Sequence, residues 1–178
     1  MKRKIKVAFK RDNKPPETEP FFYKIGRVIG RGTYGKVCLA LHCLTRKLCA
    51  VKSINKVFGR VDSCYKKLAN EMLILKYLRH PNIVKMYESV DIGKYHLMYM
   101  ELCTGGDLLH YVRRRQKLDE NYAKVFFRQI IYGLGYLHRQ GIVHQDIKLE
   151  NILIDNLGVV KICDFGVSTF LNKVEMGE

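Results

Sequence analysis

From position 21 onward, apolar residues recur at intervals that change along the chain. Phe22–Ile29, Lys36–His42 and Leu48–Ile54 form short β-type runs separated by glycines and polar turns. Between Ser63 and Leu78 the period becomes helical, with Leu68, Met72, Leu75 and Leu78 at three- and four-residue steps. His80-Pro81-Asn82 ends that helix. Ile83–Val90 and Tyr95–Leu102 read as two further strands joined by a turn at Asp91-Ile92-Gly93. After Gly105-Gly106 the texture changes. Asp107 is placed to cap a short helix through Arg114. A longer helix follows from about Asp119 to Arg139, with Tyr122, Phe126, Ile130, Leu134 and Leu137 on its apolar face and Gly141 as its stop. Gln145–Glu150 has loop character, and Ile152–Ile154 and Val159–Ile162 read as short strands. Gly105-Gly106 is the natural hinge between a sheet-rich and a helix-rich part.

The length of 178 residues suits one sizeable core or two small lobes, and 47% hydrophobic with 11% aromatic residues is a globular composition. No apolar run approaches the length of a membrane span. The opening MKRKIKVAFKRDNK has charge but no apolar block behind it, which argues against a secretory signal. Seven basic residues of a chain with formal charge +15 fall in those fourteen positions. Residues 1–20 therefore read as a basic, disordered tail. The alternative is a nuclear-import or anionic-surface patch, through which nucleic acid or membrane would be attracted without specificity. None of the six cysteines forms a C-x-x-C pair or stands at zinc-ligand spacing from a histidine, so they read as reduced thiols of a cytosolic or nuclear protein.

Chemistry enters with GRGTYGKV, where Gly30, Gly32 and Gly35 would let backbone N–H groups approach a phosphate. A glycine-rich hairpin turn explains the motif alone equally well. A β-type run follows the third glycine rather than a helix, so the loop joins two strands and is neither a dinucleotide fingerprint nor a Walker loop. In CAVKSI, Lys52 sits in an apolar strand and either snorkels to solvent or is held by a charged partner. Glu71 on the following helix is the candidate partner, with an exposed helix glutamate as the alternative. Further on, Asp146, Lys148 and Asn151 are spaced at two and three residues, and KICDFGVS sets Asp164 before Phe165-Gly166. Each acid alone is most simply a turn cap. The ordered set fits one assembly that grips a triphosphate and its metal ions.

That ordered set resembles a eukaryotic protein kinase catalytic domain from Phe21 to about Phe170. The D-x-K-x-x-N form resembles the serine/threonine type. LHCLTRKLCAVKSINK, HPNIVKMYES and DIKLENILID look most like the calcium/calmodulin-dependent and AMP-activated branch. The resemblance implies a bilobal α+β fold: residues 21–103 as an antiparallel N-lobe with one main helix, and 104–178 as a partial helical C-lobe ending in the activation segment. It implies transfer of the γ-phosphoryl group of ATP, with Mg²⁺, to a serine or threonine of a protein substrate. By the same resemblance Ile29, Gly30, Gly32, Gly35 and Val37 would cover the nucleotide, and Lys52, positioned by Glu71, would hold the α- and β-phosphates. Val37, Ala50 and Leu153 would sandwich the adenine ring, Met100 would back it, and Glu101 and Cys103 would offer main-chain hydrogen bonds. Asp146 would accept the substrate proton, Lys148 would neutralise the γ-phosphate, and Asn151 and Asp164 would bind magnesium. Asp107 and Glu150 match positions that favour basic residues upstream of the target hydroxyl, although Asp107 could equally cap its helix and touch the ribose.

Two departures qualify the resemblance. Gln145 stands where many members carry an arginine that receives an activation-loop phosphate, and a neutral glutamine cannot form that pair. The chain also stops twelve residues after Gly166, before the A-P-E end of the segment. The expectation that follows is a C-terminally truncated domain, with Phe127, Ile131 and Val143 facing water. A nucleotide-binding but inactive fragment acting as an interaction module is then the alternative function.

Overall fold

The computed structural model describes residues 22–32, 35–55 and 62–171, with the side chains of residues 62–68 outside the description. The basic tail and the side chains of Cys64 and Leu68 therefore lie outside the description. The chain divides into two compact units. One takes in the described residues up to Lys66 together with Met86–Leu102; the other takes in Lys67–Lys85 and the described residues from Cys103 onward. The fold class is α+β.

The first unit is a five-stranded antiparallel sheet in the order β1-β2-β3-β5-β4, formed by β1 (Tyr23–Gly32), β2 (Gly35–His42), β3 (Leu48–Asn55), β4 (Met86–Ile92) and β5 (Tyr95–Met100). Side chains alternate between faces, so register decides what meets. Ala40 lies opposite Cys49, Cys38 opposite Val51, and Val51 opposite Tyr99. Ala40, Cys49, Val51 and Tyr99 share one face with Ile25 and Leu97 and make its buried core, with Cys38, Tyr23, Val90 and Tyr95 partly buried against it. Burial, with Glu88 as the second cause, pushes the Cys49 thiol up to about 12, so it stays protonated and behaves as a small hydrophobe.

Tyr99 stacks on Tyr23 at 3.8 Å between ring centroids, yet its buried hydroxyl has no hydrogen-bond partner among the described residues. An unsatisfied buried hydroxyl costs about 1–3 kcal/mol. Tyr99→Phe is therefore expected to stabilise the protein by roughly 1 kcal/mol, read as a rise in the urea midpoint at unchanged slope. A lower midpoint would show that the hydroxyl has a partner after all.

The second unit is built on α1 (Asp62–Tyr77, from Lys67 on), α2 (Leu108–Arg115) and α3 (Glu120–Arg139), with a three-stranded sheet in the order β6 (Gly106–Asp107), β8 (Ile152–Ile154), β9 (Val160–Ile162) and a two-stranded pair of β7 (Ile142–Val143) with β10 (Thr169–Phe170). The Asp107 cap expected from sequence is made, its side chain accepting from the His110 N–H, and Gly141, the expected stop, follows α3 at φ 68°. Asp119 caps α3 in the same way, accepting from the Asn121 N–H.

Several expectations need correcting. The buried stripe of α1 runs through Glu71, Ile74, Leu75 and Leu78, with Met72 only half-buried. On α3 Tyr122 is exposed, and the buried row is Phe126, Gly133 and Leu137. Gly133 belongs there because a Cβ would come within 2.8 Å of Ile162 Cδ1 and 3.1 Å of the Asn82 carbonyl. Finally, β4 begins at Met86 rather than Ile83. Ile83 and Val84 are buried in the second unit, where the Val84 N–H donates to Ile162 and the Ile162 N–H to Asn82. A short apolar run carries no mark of which unit buries it.

Gly105 and Gly106, read from sequence as a hinge, are both built into the second unit. The Gly105 N–H donates to Ile154, and a Cβ there would lie 2.9 Å from that residue's Cβ and carbonyl oxygen. The last of the chain's crossings between the two units falls at Leu102 and Cys103. On α3, Phe127 and Ile131 are exposed as expected, but Val143 is half-buried because it pairs with Thr169 in the β7–β10 ladder.

Candidate active site

In the first unit the ladder gathers the sequence-predicted residues on the face opposite the core. Gly30 pairs with Val37, Val37 with Lys52, Lys52 with Met98 and Ala50 with Met100. Paired residues project to the same side, so Val37, Ala50, Lys52 and Met100 share a face. Gly32 and Gly35 pair at the end of the β1–β2 hairpin, and Ile29 is exposed on β1. A side chain at Gly35 would strike the main-chain carbonyl of Ser53. The hairpin tip, Thr33-Tyr34, lies outside the described residues. Glu101 follows β5 and is half-buried.

In the second unit the polar residues converge on Asp146. Its Oδ2 accepts from Lys148 Nζ at 2.7 Å and from Asn151 Nδ2 at 2.9 Å, and its main-chain carbonyl accepts from the same Asn151 amide at 2.9 Å. The hydrogen bond from Lys148 is the main reason the Asp146 carboxyl is held below its ordinary range, and the reverse interaction holds the lysine above its own. Asn151 is buried in a 3-10 turn, Leu149–Asn151, and its carbonyl accepts from the Cys163 N–H at 2.9 Å. That bond sets Asp164, the next residue, beside the loop. Asp164 itself is exposed and takes φ 64°. Leu153 on β8 pairs with Asp107 on β6, and Cys103 lies at the start of this unit.

Glu71 is 4% exposed, on the buried side of α1, so it is not the exposed helix glutamate allowed by sequence. Asp107 has both carboxylate oxygens within 2.8–3.0 Å of the His110 ring nitrogen and also accepts from the His110 main chain. Burial pushes its carboxyl up, but those hydrogen bonds outweigh it and the net shift is downward. Glu150 is exposed in the 3-10 turn. Gln145 is exposed at φ 64°, a left-handed conformation in which a β-branched residue would be strained.

Several organising residues were not singled out from sequence. His144 is 1% exposed. Its Nδ1 receives the Asp146 N–H at 3.3 Å, so the proton is on Nε2, which donates to Cys163 O at 3.0 Å. Burial holds this imidazole below its ordinary range, which keeps it neutral and consistent with that tautomer. Asn82 donates to Val160 O and to Gln129, whose amide oxygen accepts from the Val160 N–H. Neither histidine nor asparagine advertises burial in sequence. The available signal was position: His144 two residues before Asp146, and Asn82 between a helix stop and an apolar pair.

The donor set can be tested against a divalent ion. The Asn151 amide nitrogen is committed to Asp146, which leaves its carbonyl oxygen as an acceptor, and Asp164 offers an exposed carboxylate. These are hard oxygen ligands of the kind magnesium takes. Among the described residues no group of three histidine, cysteine, aspartate or glutamate side chains is placed to hold a metal, so any ion here would complete its shell with water or substrate oxygens.

A sheet unit with a glycine hairpin and a strand lysine, followed by a helical unit with an aspartate-centred loop, defines a two-unit α+β domain with its polar loop in the second unit. The chain belongs to the protein kinase family: the protein kinase domain profile matches residues 23–177. It is 39% identical over 147 residues to the hormonally up-regulated neu tumor-associated kinase homolog of Xenopus tropicalis, covering 82% of this chain and 21% of that protein. It is 38% identical over 150 residues to the SNF1-related protein kinase catalytic subunit alpha KIN12 of Arabidopsis thaliana, covering 84% and 30%. With CBL-interacting protein kinase 24 of Oryza sativa it shares 40% over 152 residues, covering 85% and 33%. These relatives agree with the calcium/calmodulin-dependent and AMP-activated branch indicated by the motifs. The chain spans about a fifth to a third of the length of these curated relatives. No helix among the described residues is long and apolar enough to cross a membrane.

Proposed function

We propose that this chain is the catalytic part of a serine/threonine protein kinase that transfers the γ-phosphoryl group of ATP to a protein hydroxyl. The observation that carries it is the Asp146 carboxylate, held by Lys148 and Asn151 in the family's own motif order. In this reaction the substrate hydroxyl oxygen forms a bond to the γ-phosphorus, the bond from that phosphorus to the β-bridging oxygen breaks, and ADP leaves. Asp146 orients the hydroxyl and takes its proton. Lys148 stabilises charge on the transferred group, and Lys52 holds the α- and β-phosphates. Ile29, the three hairpin glycines, Val37, Ala50, Met100, Glu101, Cys103 and Leu153 bind the nucleotide. Asn151 and Asp164 would hold Mg²⁺, whose charge would neutralise the phosphates. Such a reaction asks a protein chiefly for positioning and charge stabilisation, so residues locked by hydrogen bonds suit it.

Glu150, with whatever capacity His110 leaves on Asp107, favours a peptide with Arg or Lys upstream of the target hydroxyl by Coulomb attraction. Gln145 frees the site from dependence on an activation-loop phosphate at that position. A cytosolic or nuclear location is supported by the cysteine pattern, in which no C-x-x-C pair or zinc-ligand spacing occurs. The second reading, a nucleotide-binding interaction module, is favoured by one observation: Val125, Phe127, Ile131 and Tyr132 are all exposed on α3.

Thermal shift with Mg-ATP, followed by transfer of labelled phosphate to a peptide array, tests both. We expect stabilisation of the wild type, a much smaller response in Lys52→Met and Asp164→Asn, and label on serine or threonine peptides with upstream basic residues. An equal response in all three proteins would remove the nucleotide site. Nucleotide binding without transfer would favour the interaction module.

A further inference from the structure

We infer that Asn70 is a positioning residue for this site: its side-chain amide, reaching from α1, holds the Phe165–Ser168 turn and thereby sets Asp164. The inference rests on the assignment of Asp164 to magnesium made above.

Asn70 Nδ2 donates to two main-chain carbonyls, that of Phe165 at 3.4 Å and that of Ser168. The turn is closed on itself as well, because the Ser168 N–H donates to Phe165 O at 3.1 Å. From the far side, Ser168 Oγ donates to the His144 carbonyl at 3.1 Å, and the Phe165 ring meets the His144 ring edge-on at 4.8 Å. Phe165 and Ser168 are 0% and 2% exposed, so water is a poor substitute for a lost donor. One primary amide with two hydrogens serves both carbonyls. Aspartate would bring a charge and no donor against two oxygens, and leucine would fill the space with no donor at all.

The consequence falls on Asp164 because both of its neighbours are pinned. Cys163 has its N–H committed to Asn151 and its carbonyl to His144. Phe165 is held at its carbonyl by Asn70. Between them Asp164 is kept at φ 64°, a conformation uncommon for a residue with a side chain and one that persists where its surroundings impose it. Removing the Asn70 amide frees only the downstream anchor. The Asp164 carboxylate then loses a defined position, while the nucleotide-facing strand residues are untouched.

Asn70→Leu tests this through metal dependence and amide exchange. Nucleotide affinity is measured with and without Mg²⁺, and hydrogen–deuterium exchange is followed by peptide. We expect metal-free ATP affinity to match wild type, the Mg²⁺ concentration for half-maximal tightening to rise about tenfold, and residues 163–170 to exchange about tenfold faster while 97–100 do not change. An unchanged magnesium midpoint with unchanged exchange would overturn the inference. So would uniformly faster exchange with a parallel loss of metal-free affinity, which is the signature of general destabilisation. If Asn70→Leu does not fold, Asn70→Ser, which shortens the reach, is measured in the same way. If wild-type protein shows no magnesium-dependent tightening, the assigned function fails, and the exchange of 163–170 alone decides whether Asn70 holds the turn.

Discussion

On the proposed function, Asp146→Asn is expected to lower phosphoryl transfer by about 10²–10⁴-fold, the range for removal of a positioned general base, with nucleotide affinity staying at the wild-type value. The geometry explains the selectivity. The Asp146 carboxylate is the acceptor for Lys148 and Asn151, and an amide cannot take the substrate proton. Transfer is read as initial rate on a serine peptide, and affinity by calorimetry. A parallel fall in both would mean that Asp146 organises the loop rather than the chemistry. The same contact makes a pH prediction. Lys148 lowers the folded-state titration of Asp146, so the base form is present above that depressed value and is lost only as pH falls through it. In Lys148→Ala the ¹³C titration of the Asp146 carboxyl should move up towards the ordinary aspartate value of about 3.9. No upward movement would assign the shift to another cause.

Phe165→Ala is expected to cost about 3–5 kcal/mol of stability, a large part of the roughly 5–15 kcal/mol available to a domain. Phe127→Ala should stay within about 0.5 kcal/mol. Both are phenylalanines of the second unit, but Phe165 is 0% exposed against His144, whereas Phe127 is 62% exposed on α3. Burial rather than residue type decides the difference, because deleting a packed ring loses its transfer energy and leaves a cavity. Urea unfolding of the two variants measures it. Equal costs would show that Phe127 is covered in solution.

Legible in the sequence were the order of α1–α3, β1–β5, β8 and β9, the change of texture near Gly105, the Asp107 cap and the Gly141 stop, and the ordered motif set from Gly30 to Asp164. These features are local. A period, a cap or a glycine spacing is a statement about neighbours in the chain, and local stereochemistry enforces it. It also identified the Asp146, Lys148 and Asn151 group, whose members lie within six residues and so cannot be far apart.

Tertiary structure decided what depends on a distant partner. It placed Glu71 rather than Met72 on the buried stripe of α1, and exposed Tyr122 while burying Gly133 against Ile162 and Asn82. It took Ile83 and Val84 out of β4 and gave them to β9. It also set Asn70 on the Phe165–Ser168 turn across 95 and more residues of sequence, and stitched Ser168 to His144. An isolated polar residue on a helix looks the same in sequence whether it meets water or a carbonyl. Only the packed chain supplies the second partner, and buried main-chain groups that must be satisfied select which side chain it is.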